Sequence, residues 1–131
     1  MALSLSLNSQ YLKYQINGTA PTAQSIIIYF GGFISNQYPD YNNIKVKCII
    51  NSGLQDWVTI SGPKVLLNNE IDTTVPSASI NINLNNLTSL SVGNYYARLT
   101  FLVIGYKNGS NEFILDQITH GIYLNILPSL S

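Results

Sequence analysis

Leu90-Ser91-Val92-Gly93-Asn94-Tyr95-Tyr96-Ala97-Arg98-Leu99-Thr100-Phe101 constrains this chain more than any other stretch, because a turn with glycine opens directly into a long alternating strand. Gly93 can hold the positive φ that ends a loop, and Asn94 tolerates the same region. From Tyr95 onward two interleaved sets of side chains must face opposite sides of a sheet. The stretch fixes a sheet architecture and carries no chemistry of its own.

The same alternation recurs along the chain. Leu3, Leu5 and Leu7 alternate with polar residues and read as a first strand; Leu12, Tyr14 and Ile16 form a second, which Asn17-Gly18 and Pro21 break. Gln24 to Phe30 is nearly continuous in apolar and β-branched residues, the pattern of a mid-sheet strand covered on much of both faces. Further strands are expected over Ile44–Ile50, Trp57–Ser61, Ser77–Leu84, Tyr95–Ile104 and Phe113–Leu127, the last interrupted near His120-Gly121. Val65, Leu66 and Leu67 make a small apolar island, and Lys107-Asn108-Gly109-Ser110 has the chemistry of a hairpin turn.

At 131 residues the chain is one domain, Met1 to Ser131, with a single core that needs no metal or disulfide to hold it. Seven or eight short antiparallel strands without a convincing amphipathic helix give an all-β fold, an immunoglobulin-like β-sandwich, with a closed barrel as the alternative. Tyr95 or Tyr96 is placed to make the tyrosine corner of such sandwiches.

Charged residues are only 9% of the chain, six basic against six acidic, where about 25% is usual. Lys13, Lys45, Lys47, Lys64, Arg98 and Lys107 are scattered in sequence, so no basic patch for nucleic acid is expected and charge is not the means of finding partners. Sixteen asparagines, with Ser, Thr and Gln, supply the polar surface. A surface of near-zero net charge suits packing against other copies or other protein subunits.

Cys48 is the sole cysteine; its alternation with Ile44, Val46 and Ile50 makes it a buried, inert thiol. The N-terminal residues lack the basic region and apolar run of a signal peptide, and no segment reaches the ~18 apolar residues of a membrane span.

Catalysis lacks its parts. His120 is the sole histidine, and Asp116 would stand about 13 Å from it on an unbroken strand at ~3.3 Å per residue. The histidine is expected to be satisfied in the fold or at the surface. The six carboxylates form no tight cluster for a metal, Glu70-x-Asp72 being a common loop pairing, and no Gly-rich phosphate loop occurs. No enzymatic activity and no cofactor are expected. The irregular segment Gly31–Asn43 is rich in aromatics, and its Phe33, Tyr38, Asp40 and Tyr41 are the candidate ligand- or partner-binding residues, since loop aromatics with polar tips make contacts at modest entropic cost. The sequons at Asn17, Asn86 and Asn108 are chance matches in an asparagine-rich chain.

The order of several motifs resembles the BACON domain, the Bacteroidetes-associated, carbohydrate-binding, often N-terminal module. Leu5-Ser6-Leu7 and Leu12-Lys13-Tyr14 match its first two strands, and Pro21-Thr22-Ala23-Gln24-Ser25-Ile26 its Pro-x-x-Gln-x-apolar strand. Trp57-Val58-Thr59-Ile60-Ser61 and the Leu90–Phe101 stretch match two later ones; Trp57 invites a sugar-stacking reading, but in that pattern this Trp starts a core strand, so the resemblance implies core packing. The segments Gly31–Asn43 and Tyr106–Ile118 are longer than the family pattern. The resemblance implies an immunoglobulin-like sandwich and a glycan ligand.

Two functions follow as expectations. The first is a non-enzymatic structural protein of a phage virion, a capsid auxiliary, fibre or tail protein made in the host cytoplasm without a signal peptide. The second is a carbohydrate-binding or adhesion module of a larger secreted or cell-surface bacterial protein.

Overall fold

The computed structural model describes residues 3–109 and 111–130. Nine strands carry the fold: β1 (Ser4–Leu5), β2 (Ser9–Gln15), β3 (Ile26–Tyr29), β4 (Asn42–Asn51), β5 (Val58–Ser61), β6 (Glu70–Ile71), β7 (Ser77–Leu84), β8 (Gly93–Lys107) and β9 (Asn111–Leu127). Short 3-10 turns at Ile34–Asn36, Leu67–Asn69 and Leu87–Ser89 are the only helical segments among the described residues.

The strands form two open sheets, in the orders β1-β3-β7-β5 and β2-β9-β8-β4-β6. This is a sandwich-like all-β architecture and not a closed barrel. Its core lies between the sheets, where the inward residues Ile26, Ile28, Ile80, Val46, Leu99, Phe101, Ile122 and Leu124 are almost fully buried.

The strands expected over Ser77–Leu84 and Tyr95–Ile104 are present, the second extended to Gly93–Lys107. Gly93 has φ +153°, where a side chain would be strained. Asn108 (φ +54°) and Gly109 (φ +92°) reverse the chain between β8 and β9, as the hairpin chemistry requires. Ser110, the last residue of that expected turn and of the third sequon, lies outside the described residues. Asparagine serves the same end elsewhere: Asn17, Asn43, Asn68, Asn69 and Asn86 also take positive φ.

Four expectations need correction. The strand expected from Leu3, Leu5 and Leu7 is cut to β1, after which the chain crosses from one sheet to the other; β1 pairs antiparallel with β3, while β2 runs parallel to β9. With the unforeseen β6, which pairs with β4, the total becomes nine and not seven or eight. β3 is indeed interior to its sheet, but its outer face is covered only in part, Ile27 being half-buried and Tyr29 42% exposed. β9 is not interrupted at His120-Gly121; both pair with β8, and the irregularity falls instead at Leu115, between the pairs Val103–Asp116 and Ile104–Ile114. The apolar island proves to be surface, with Leu67 and Leu66 exposed and Val65 half-buried.

Candidate functional site

Alternation on β2, β9 and β8 decides what the five-stranded sheet shows to solvent. Leu12, Tyr14, Ile122, Leu124, Ala97 and Leu99 point into the sandwich, so Tyr11, Tyr123 and Tyr96 point out. Register then aligns them: Tyr11 is opposite Tyr123, and Tyr123 is opposite Tyr96. Tyr11 stacks on Tyr123 with centroids 4.8 Å apart and planes 11° apart, and Tyr96 leans on the other side at 4.8 Å and 42°. The row is exposed, at 75%, 42% and 44% for Tyr11, Tyr123 and Tyr96.

Gly121 makes room for this packing. A Cβ there would stand 3.1 Å from Tyr96 Cε1 and 3.5 Å from Tyr123 Cε2, so the ring of Tyr96 lies over the space that the missing side chain leaves. An aromatic ring over a strand glycine restores the packing that the glycine forfeits.

On one side of the row the short side chains of Asn125 and Asn94 leave a depression of about 360 Å³, walled by Tyr11 and Tyr123 and bounded by Lys13. Arg98 lies on the other side, paired with Gly121. The basic residues are thus less scattered than their sequence positions imply. Lys13, Arg98, Lys45 and Lys47 all have the outward parity of this sheet, because each alternates with buried neighbours on its strand.

The loop residues Phe33, Tyr38, Asp40 and Tyr41 are not brought together as one aromatic surface. Tyr41 packs edge-on against Phe113 (5.8 Å, 66°) and beneath the Lys107 ammonium at 5.5 Å. It approaches β8 at Gly105, where a Cβ would come within 2.9 Å of Tyr41 Cβ. Tyr38 packs partly against the core, and burial together with the charge of Asp116 pushes its phenol above the ordinary value. Phe33 and Asp40 are exposed. Tyr38 and Tyr41 therefore hold the loop down, leaving Phe33 and Asp40 as its free side chains.

His120 is fully buried and fully engaged. Leu7 carbonyl oxygen, 2.8 Å from Nδ1, can only accept, so Nδ1 carries the proton. Nε2 then accepts from the Gln10 amide at 3.0 Å. Gln10 Nε2 also donates to the Gln24 carbonyl, and Gln10 Oε1 accepts from the Gln24 N–H at 2.8 Å. These bonds tie the β1–β2 crossing to β9 and to the segment before β3. Burial lowers the His120 pKa below 6.5, opposed by its bond to Leu7. Asp116 is not its partner; that carboxylate accepts from the Gln117 backbone N–H.

Cys48 is buried, and burial pushes its thiol up to about 12, which leaves it inert at neutral pH. Trp57 is 1% exposed and donates Nε1–H to the Ser52 carbonyl oxygen at 3.0 Å, a core role and not a sugar platform. Among the described residues no group of three or more His, Cys, Asp or Glu is placed to hold a metal ion. Among the described residues no helix is long and apolar enough to cross a membrane.

Sequence reasoning missed the tyrosine row. Each of the three tyrosines occupies an outward place in an alternating strand, which is a readable signal, but only register shows that they touch.

No protein-family model matches the chain, and no curated protein matches it. Among solved structures it is similar to the crystal structure of the E. coli chaperone DraB, at 13% identity and a TM-score of 0.45, over 97% of this chain and 55% of that one. The chain thus spans about half the length of that chaperone.

Proposed function

We propose that this chain is a non-enzymatic, immunoglobulin-like and BACON-like interaction domain that meets its partner through the outer face of β2, β9 and β8. The observation that carries the reading is the exposed row Tyr11–Tyr123–Tyr96. Tyrosine offers large, rigid contact area at low entropic cost, and tyrosine and arginine dominate the energetics of interfaces.

Strand order supports the immunoglobulin-like assignment. Taking β1, β3, β4, β5, β7, β8 and β9 as the seven strands A to G in chain order gives one sheet ABED and another CFG, with β2 and β6 added at the two edges of the second. The Tyr95 hydroxyl donates to the Ser91 carbonyl at 2.7 Å, which is the bond of a tyrosine corner at the start of strand F.

In this reading the domain is a structural subunit of an assembly, a phage capsid auxiliary, fibre or tail protein, and its partners are other protein subunits. A second reading, a carbohydrate-binding or adhesion module of a secreted or cell-surface protein, is favoured by the depression beside the row. There the aromatic walls of Tyr11 and Tyr123 meet the amides of Asn94 and Asn125, and apolar rings with convergent amides are what a sugar's C–H face and hydroxyls require.

Light scattering after gel filtration and a glycan array, each run on the native chain and on Tyr123→Ala, test the proposal. Self-association or glycan binding that is lost in the variant supports it. Behaviour identical in the two proteins in both assays overturns it.

A further inference from the structure

The chain's few charges are unevenly placed. Lys64 pairs with Asp72 at 3.9 Å, the one ion pair among the described residues, and Lys107 lies over Tyr41 at the hairpin end. The other four basic residues, Lys13, Lys45, Lys47 and Arg98, share the outer face of the five-stranded sheet. Lys45 lies over the Tyr106 ring, and Lys47 stands opposite Glu70 in register. Lys13 and Arg98 remain, one register step to either side of the tyrosine row.

No acidic side chain opposes them within these strands. β2, β4 and β8 carry no carboxylate, and β9 carries only Glu112 and Asp116, near its hairpin end. Asp116 precedes Tyr123 by seven residues, which is roughly 23 Å of extended strand. The row is therefore an aromatic strip between two cations in a chain of zero net charge.

We infer that this strip takes an acidic polysaccharide whose carboxylates are met by Lys13 and Arg98; the inference rests on the glycan reading of the same face. From strand geometry the two cations lie roughly 16 Å apart, two strands across and four residues along. A polymer with an acid on successive sugars spans that distance and engages both, while a single small anion engages one. Tyr11 sits on the edge strand with one ring face turned away from Tyr123, so that face is open to a pyranose. Asn94 and Asn125 offer both donors and acceptors to vicinal hydroxyls in the adjoining depression.

Single-stranded nucleic acid is the competing polyanion, and the ring geometry disfavours it. Bases need open aromatic faces, one for each base stacked. Here Tyr11 and Tyr123 cover one face of each other at 11°, so the row offers successive bases fewer open faces than its rings would have apart.

Titration calorimetry of the full chain with polygalacturonate, alginate and hyaluronate, and with the methyl ester of each, separates ring from charge. The free acids should bind about ten- to twentyfold tighter than their esters at low salt, a gap that closes as salt screens it. Lys13→Gln and Arg98→Gln should each weaken the acids about three- to fivefold and leave the esters unchanged. Both side chains are exposed, so neither variant threatens the fold. Acids and esters that bind equally overturn the inference and leave the glycan reading standing. Binding to none of the polymers overturns the inference, the glycan array deciding the glycan reading apart from it, and oligothymidylate binding tighter than every polyuronate at the same salt overturns the inference in favour of nucleic acid.

Discussion

His120 and Tyr123 stand three residues apart on β9 and face opposite sides of the same sheet. The inner residue is fixed: both ring nitrogens are bonded, and the amide that meets one of them is held by two further bonds to Gln24. Exchanging donor and acceptor at any point in that set leaves two donors or two acceptors facing, so only one arrangement satisfies it. The outer residue lies between two other rings, and much of the row is open to solvent. In the proposed function one strand thus separates stability from recognition by the period of its side chains alone, and substitutions on the two faces should have different consequences.

The largest effect is expected inside. His120→Ala leaves the Leu7 carbonyl and one Gln10 amide proton without partners in a buried place, at a cost of about 3 kcal/mol. The measurement is the urea midpoint at constant m, together with glycan affinity of the folded protein, which should not change. A midpoint equal to the native one would remove the contrast between the faces.

The same residue sets a pH dependence whose sign is fixed. Burial holds the folded-state pKa of His120 below its ordinary 6.5, so the unfolded chain takes up the proton first. The contribution is fully present above 6.5, declines as pH falls from there toward the folded-state value, and changes no further below it. His120 is the only histidine, so stability measured between about pH 7.5 and 5.5 isolates it from the ordinary carboxylates, which titrate near 4. The slope in that window should be positive with pH in the native chain and absent in His120→Ala.

Outside, Tyr123→Ala removes the middle ring and both ring contacts. Glycan or partner affinity should fall about tenfold, while stability falls by about 1 kcal/mol, the scale of aromatic pairs at a surface. A loss of stability as large as that of His120→Ala would make the row part of the core and not a recognition surface.

Alternation is local, so it was legible: β7, β8 and the buried thiol of Cys48 all follow from side chains two residues apart, whereas Trp57 is buried beside Val58, against the alternation of its strand. Register is not local. The meeting of Tyr11 with Tyr123 joins residues at opposite ends of the chain through a parallel pairing of β2 with β9, and neither strand's sequence names the other. The crossing between β1 and β2 was hidden for a related reason, since Leu3, Leu5 and Leu7 keep their alternation while the chain passes from one sheet to the other. β6 has two residues, too few to show a period. The collection of four cations on one face comes from parity on three strands together with their order in the sheet, and that order exists only in the fold.

The smallest effects belong to the loop before β4, and they sharpen the contrast from a third direction. Tyr41 is half-buried against Phe113 and Gly105, so Tyr41→Ala should cost about 1 kcal/mol of stability, as a surface aromatic contact does, and leave binding unchanged. Phe33 is 54% exposed and makes none of the ring contacts among the described residues, so Phe33→Ala should change stability by less than about 0.5 kcal/mol. Its effect on affinity is the discriminating measurement. If recognition belongs to the strand face, Phe33→Ala binds as the native chain does; a loss of affinity matching that of Tyr123→Ala would move recognition into the loop, where an exposed aromatic is the residue type that a partner would meet first.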